Sequence, residues 1–164
     1  MDIGGAMENP GDHWNTPAWY VDSVRWVLET IDLDPCSNAG SVVNARRNVM
    51  LPEDGLAIKW SGRVFVNPPY SDVLPWIKKL IASPSVSGAI LLAHADVSTK
   101  WFQRTRTAMV VCLHDQRIRF CDADGSEGNA RPNLGNITAY WGSDPGRFIA
   151  GFKGHGALFA PVII

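Results

Sequence analysis

Paired cysteines are missing from this chain. It has three, Cys36, Cys112 and Cys121, an odd number at wide spacing. That pattern excludes a disulfide framework and a Cys-x-x-Cys metal knuckle. The four histidines, His13, His94, His114 and His155, show no metal-ligand spacing either, so no metal is expected. No apolar run approaches the ~18–20 residues of a membrane helix. Met1 to Pro10 has neither a basic start nor an apolar secretory core, which places the expected location in the cytoplasm. An excess of positive charge is missing too, since 15 Lys and Arg against 16 Asp and Glu leave a formal net charge of -1. A nucleic-acid binder held by bulk charge is basic, so any such contact must come from a local patch. Neither a G-x-G-x-x-G dinucleotide turn nor a G-x-S-x-G nucleophile is present.

What remains is a chain of 164 residues, 46% hydrophobic and 19% charged, long enough for one well-packed core. Residues 1–12 read as a loose Gly-rich segment and 13–164 as a single domain. Thr16-Pro17 predicts a helix start, with Thr16 near the N-cap and Pro17 at N1, leading a helix over 19–30. Ile31 to Pro35, Arg63 to Val66, Ser87 to Ala93 and Ala108 to Leu113 predict strands. Helices are predicted over 72–82 and 99–107. Gln116 to Phe120 reads as an edge strand. Ile137 to Trp141 and Arg147 to Gly151 read as late strands. Cys121 to Asn136 is the longest polar stretch. This alternation predicts an open α/β sheet that binds ligands beyond the carboxyl ends of its strands.

The sharpest motif is Asn67-Pro-Pro-Tyr70, directly after a Val-Phe-Val strand. The lone pair of an exocyclic amine such as adenine N6 is delocalised into its ring, which makes the amine a poor nucleophile. Two acceptors beside it draw on both N–H groups and favour a more tetrahedral nitrogen. The Asn67 side-chain oxygen and the Pro68 carbonyl suit that task, and Pro68 and Pro69 stiffen the turn. Tyr70 offers a ring on which a flipped base can stack. The bland reading of the same letters is a loop after a strand. A second signal is Leu33-Asp34-Pro35-Cys36-Ser37, where a strand-end acid can hold charged cofactor groups or cap a turn. Asp54-Gly55 reads as an ordinary turn on spacing alone, although Asp54 can accept from an adenine amino group with Leu56 against the ring.

The ordered set His13-Trp-Asn-Thr-Pro17, Leu33-Asp-Pro-Cys-Ser37, Pro52-Glu-Asp-Gly-Leu56 with Trp60, Val66-Asn-Pro-Pro-Tyr70 with Trp76, Leu91-Leu92 followed by Ser98-Thr-Lys-Trp-Phe102, and Arg117-Ile-Arg-Phe120 resembles the phage-type DNA N6-adenine methyltransferases. The resemblance runs from about residue 13 to about residue 142. It implies a Rossmann-like class I methyltransferase fold, S-adenosyl-L-methionine as methyl donor and DNA as partner. It places Asn67, Pro68, Pro69 and Tyr70 at the catalytic motif. Thr16, Pro17, Asp34, Pro35, Cys36, Asp54 and Leu56 fall on the cofactor side. Trp76, Ser98, Trp101, Phe102, Arg117 and Arg119 fall on the substrate side. Three segments depart from the family pattern: Ala93-His94-Ala95-Asp96, His114-Asp115-Gln116 and Asn133-Leu134-Gly135-Asn136. All three bear on target contacts more than on the cofactor.

Arg104, Arg106 and Arg131 are further candidates for phosphate contacts, or plain solvated surface. A chain of this length leaves no room for a separate target-recognition domain, so short or relaxed site specificity is expected. The rivals are an amino-methyltransferase acting on RNA adenine, protein amide or cytosine N4, and a non-catalytic DNA-binding protein on a methyltransferase scaffold. The residues leave the oligomeric state open.

Overall fold

The structure, a computed structural model, describes residues 14–122, 124–128 and 134–162. Expectations for residues 1–12, His13, Arg131 and Asn133 fall outside them. The strands are β1 (Leu33–Asp34), β2 (Arg47–Asn48), β3 (Gly62–Val66), β4 (Val86–His94), β5 (Val110–His114), β6 (Asn136–Trp141) and β7 (Gly156–Phe159). The α-helices are α1 (Ala18–Leu28), α2 (Leu74–Ile81) and α3 (Pro145–Phe152). All seven strands join one sheet in the order β2-β1-β3-β4-β6-β5-β7.

β1 to β4 run parallel, and β6 is wedged antiparallel between β4 and β5. β7 closes the far side antiparallel to β5. The chain leaves β1 outward to β2, then returns to place β3 on the other side of β1. That reversal opens a crevice at the carboxyl ends of β1 and β3, where sheets of this kind bind ligands. His94 pairs in register with Asn136, and His114 with Gly156. The ends of β4 and β5 and the starts of β6 and β7 therefore share the edge that carries the crevice.

Side-chain alternation in the central strands feeds two cores, one on each face. Phe65, Ile90, Leu92 and Cys112 pack with Tyr20, Val24, Phe148 and Phe152 of α1 and α3. Val64, Val66, Ala89, Leu91 and Ala93 pack with Ile77 and Leu80 of α2. Each of the Val, Leu, Ile and Phe side chains, fully buried, contributes about 1.5–3 kcal/mol. Helices on both faces make the Rossmann-like α/β arrangement. Gly62 opens β3 at a register shift with φ of 74°, where a Cβ would meet the Asp32 carboxylate at 2.5 Å. Among the described residues, no helix is long and apolar enough to cross a membrane.

Four expectations change. Arg147 to Gly151 belongs to α3, not a strand: Asp144 accepts from the Arg147 N–H as N-cap, and Phe148 and Phe152 recur at helical spacing into the core. Gln116 to Phe120 is not an edge strand. Ile118 and Phe120 are buried as alternation suggests, but the Ile118 N–H donates to the Asn136 side chain rather than to a neighbouring strand. In the 99–107 segment the helix is a 3₁₀ turn over Phe102–Thr107. Pro17, not Thr16, sits at the N-cap of α1, with no side-chain cap bond.

Candidate functional site

β3 carries the Phe65-Val66 run to the sheet edge and stops, because Pro68 and Pro69 have no N–H to continue the ladder. Asn67 is thereby left at the mouth of the crevice. Its Nδ2 donates to Thr16 Oγ1 at 3.0 Å, which fixes the amide orientation. Its Oδ1 is buried and has no hydrogen-bond partner. A buried acceptor without a donor costs about 1–3 kcal/mol, so this oxygen is held ready for a donor from outside the chain.

Thr16 belongs to a strap laid across the crevice. Asn15 pairs with Cys121 through two backbone bonds of 2.8 Å, and its Nδ2 donates to the Ala39 carbonyl at 2.9 Å. Asn38 Nδ2 reaches the Trp14 carbonyl at 3.3 Å. The strap is thus tied to the loop after β1 on one side and to Cys121 on the other.

Below the strap lies the loop after β1. Asp34 is buried, its Oδ1 accepting from the Cys36 N–H at 3.2 Å. Burial pushes its carboxyl up to about 6, and the Cys36 N–H offsets only part of that rise. The Cys36 thiol is pushed well up, first by burial and then by the Asp34 charge, and it lies against the Asn67 backbone. Asp54 Oδ1 accepts from the Leu56 N–H at 2.8 Å, the local turn that spacing suggested. Gly55 between them touches the Asp34 loop: a Cβ there would lie 1.7 Å from the Pro35 carbonyl oxygen. Trp60 Nε1 donates to the Gly55 carbonyl at 2.8 Å. Thr16, Asp34, Pro35, Cys36 and the 54–56 turn therefore converge on one side of Asn67.

Tyr70 faces the other side. Its ring lies 5.1 Å from His94 and 5.8 Å from Phe120, and Asn136 Nδ2 donates to its hydroxyl at 3.3 Å. Burial raises the phenol far above its usual range, so it stays neutral. His94 in turn packs edge-on against Trp101, which packs on Phe102. These rings form an apolar wall beside the motif.

Not every substrate-side expectation joins that wall. Trp76 packs instead on Trp60, at 6.2 Å between ring centroids, beside Gly55 on the Asp34 side. Ser98 gives its hydroxyl to Asp96 Oδ1 at 2.6 Å in an exposed turn. Arg119 pairs with Glu127 at 3.1 Å. Arg117 and Arg119 line a neighbouring groove of about 540 Å³ that runs past Pro17, Trp19 and His155. His114 there donates to or accepts from Thr138 Oγ1 at 2.7 Å, and burial lowers its pKa to about 4. Arg104 and Arg106 lie on the exposed side of the 3₁₀ turn.

Sequence reasoning placed Asn136 only in a segment departing from the family pattern and missed its role: it accepts from Ile118 N–H at 2.9 Å while donating to Tyr70. An amide side chain opening the buried strand β6 was the available signal. It also missed Asn15, which acts through backbone pairing with Cys121 and a side-chain bond to a distant carbonyl, neither visible from local spacing.

Comparison with known proteins bears on the same residues. Residues 5–149 match the family described as DNA N-6-adenine-methyltransferase (Dam). A DNA N-6-adenine-methyltransferase of Haemophilus phage HP1 (strain HP1c1) is 30% identical over 140 residues, spanning 81% of this chain and 80% of that protein. The crystal structure of a dimethyladenosine transferase from Plasmodium falciparum is similar at a TM-score of 0.47 and 13% identity, covering 86% of this chain and 67% of that one. With its motif at the crevice and its family match spanning most of its length, the chain belongs to the DNA N-6-adenine-methyltransferase family.

Proposed function

We propose that this chain transfers a methyl group from S-adenosyl-L-methionine to N6 of adenine in DNA, on a base flipped out of the duplex. One observation carries the reading: Asn67 Oδ1 is a buried acceptor with no partner, oriented by the bond from its own Nδ2 to Thr16. An adenine amino group has two N–H donors to give. Asn67 Oδ1 takes one and the Pro68 carbonyl takes the other, which favours the tetrahedral nitrogen needed for attack. After transfer the substituted nitrogen is an acidic ammonium and sheds a proton to water, so no strong base is required of the chain.

The residues around Asp34 fit the methyl donor. A buried carboxylate with a raised pKa gains from a cationic partner. Thr16, Pro17, Asp34, Pro35, Cys36, Asp54 and Leu56 would hold it. When bound, S-adenosyl-L-methionine supplies an electrophilic methyl on a cationic sulfur. The chain's part is to hold the amine in line, where proximity and acceptor placement provide most of the rate. Extruding the base costs a few kcal/mol, offset by stacking on the Tyr70 ring. The domain spans 13–164, and the expected sites are short or relaxed.

The test is incubation with labelled S-adenosyl-L-methionine and unmethylated duplex DNA, followed by nucleoside analysis. N6-methyladenine from the parent chain, reduced about 10²–10³-fold in Asn67→Ala with cofactor binding retained, is the expected result. Label on cytosine N4, on RNA or on protein alone would overturn the DNA-adenine reading. Cofactor binding with no transfer to any of them would make the chain a non-catalytic scaffold.

A further inference from the structure

Asn67 Oδ1 has a counterpart one strand along. His94 closes β4, next to β3 in the sheet, and its Nδ1 is also buried and without a hydrogen-bond partner. The ring lies 5.1 Å from that of Tyr70 and 5.1 Å from that of Trp101. Two unsatisfied polar atoms thus stand at the ends of adjacent strands, and the Tyr70 ring packs against the second of them. Leaving a ring nitrogen unpaired in an apolar wall is unfavourable. A phenylalanine would fill the same wall without that cost.

Burial also lowers the His94 pKa from its ordinary value, so the imidazole is neutral at pH 7. A neutral imidazole carries one N–H and one lone pair. An adenine whose N6 hydrogens go to Asn67 and Pro68 still presents N1 and N7, acceptors on either side of N6. We propose that His94 Nδ1–H donates to one of these two ring nitrogens and so reads the target base. The assignment rests on the DNA-adenine reading above. In the free chain both polar atoms are covered, so the base reaches His94 Nδ1 only when the Tyr70 and Trp101 rings packed on it move apart.

The experiment uses a duplex that the parent chain methylates, with the target adenine replaced in turn by 1-deaza-adenine and 7-deaza-adenine. Each replacement removes one acceptor. Rates are compared for the parent, His94→Phe and His94→Asn, whose amide nitrogen can stand near the Nδ1 position. The parent should lose about tenfold more than His94→Phe on one analogue, beyond any change common to both proteins. His94→Asn should keep part of that discrimination. His94→Phe should melt no lower than the parent, because it removes an unpaired polar atom. Equal sensitivity of the parent and His94→Phe to both analogues, or a clear drop in melting temperature with no change in discrimination, overturns the assignment and leaves the methylation reading standing. Failure of the parent to methylate unmodified DNA overturns the methylation reading and this assignment with it.

Discussion

Thr16 and Asn67 are 51 positions apart, yet a single bond between them decides which atom of the Asn67 amide faces the crevice. Thr16→Val removes the acceptor and lets the amide rotate. The expected outcome is a kcat about tenfold lower with little change in the KM for DNA, and Thr16→Ser should restore it. A KM rise with kcat unchanged would assign Thr16 to binding alone. Asp34 gives a pH signature. Its folded pKa, near 6, lies above the ordinary value of 3.8. Between those values the folded chain holds more protons than the unfolded one, so stability from this group is full below about 4 and falls as pH rises toward 6. A cationic ligand favours the ionised carboxylate. Cofactor binding should therefore tighten as pH rises through about 6, and Asp34→Asn should flatten both trends; titration calorimetry and melting across that range would show it. Sequence alone could single out Asn67 and Asp34, since strand-end position and residue type were both visible. It could not show Thr16 as the partner, because that contact is made by the fold rather than by spacing.

At the level of elements, what could be read depended on how fully each segment was buried. β3, β4 and β5 are apolar runs covered on both faces, and such runs announce themselves. α3 is only eight residues long, and its sequence is ambiguous because a short apolar stretch fits either period. Its signal was Asp144-Pro145, a cap followed by proline at the first turn. Asp144→Ala should lower stability by about 1 kcal/mol, seen as a reduced melting temperature with methylation intact. The Gln116–Phe120 segment alternates like a strand but is tied to a side chain, Asn136, which no local pattern foretells. Gly55 shows a third kind of constraint. Its neighbour Asp54 makes an ordinary turn, but the turn presses against Pro35 too closely for any side chain. Gly55→Ala should push the 54–56 turn off the Asp34 loop. The expected result is a cofactor affinity at least tenfold weaker in a chain that still folds, since a one-carbon intrusion typically costs 1–3 kcal/mol; unchanged affinity would detach this turn from the cofactor.

Across the whole molecule, charge is balanced and the basic side chains near the crevice are few and partly paired. DNA binding should accordingly show a shallow dependence on salt, because each phosphate neutralised adds only about one unit to the slope. Methylated positions mapped over random-sequence DNA should share only a short motif; a long fixed site would require recognition beyond the surfaces described. The sheet order has a consequence for how the protein is made. Within the sheet β5 pairs with β6 and β7, and both follow it in the chain. During synthesis β5 therefore leaves the ribosome with no strand to pair with, and β4 waits with one open edge until residues 136–141 emerge. At about 5–20 residues per second that interval lasts seconds, and the nascent chain spends it exposing the edges on which sheets mispair.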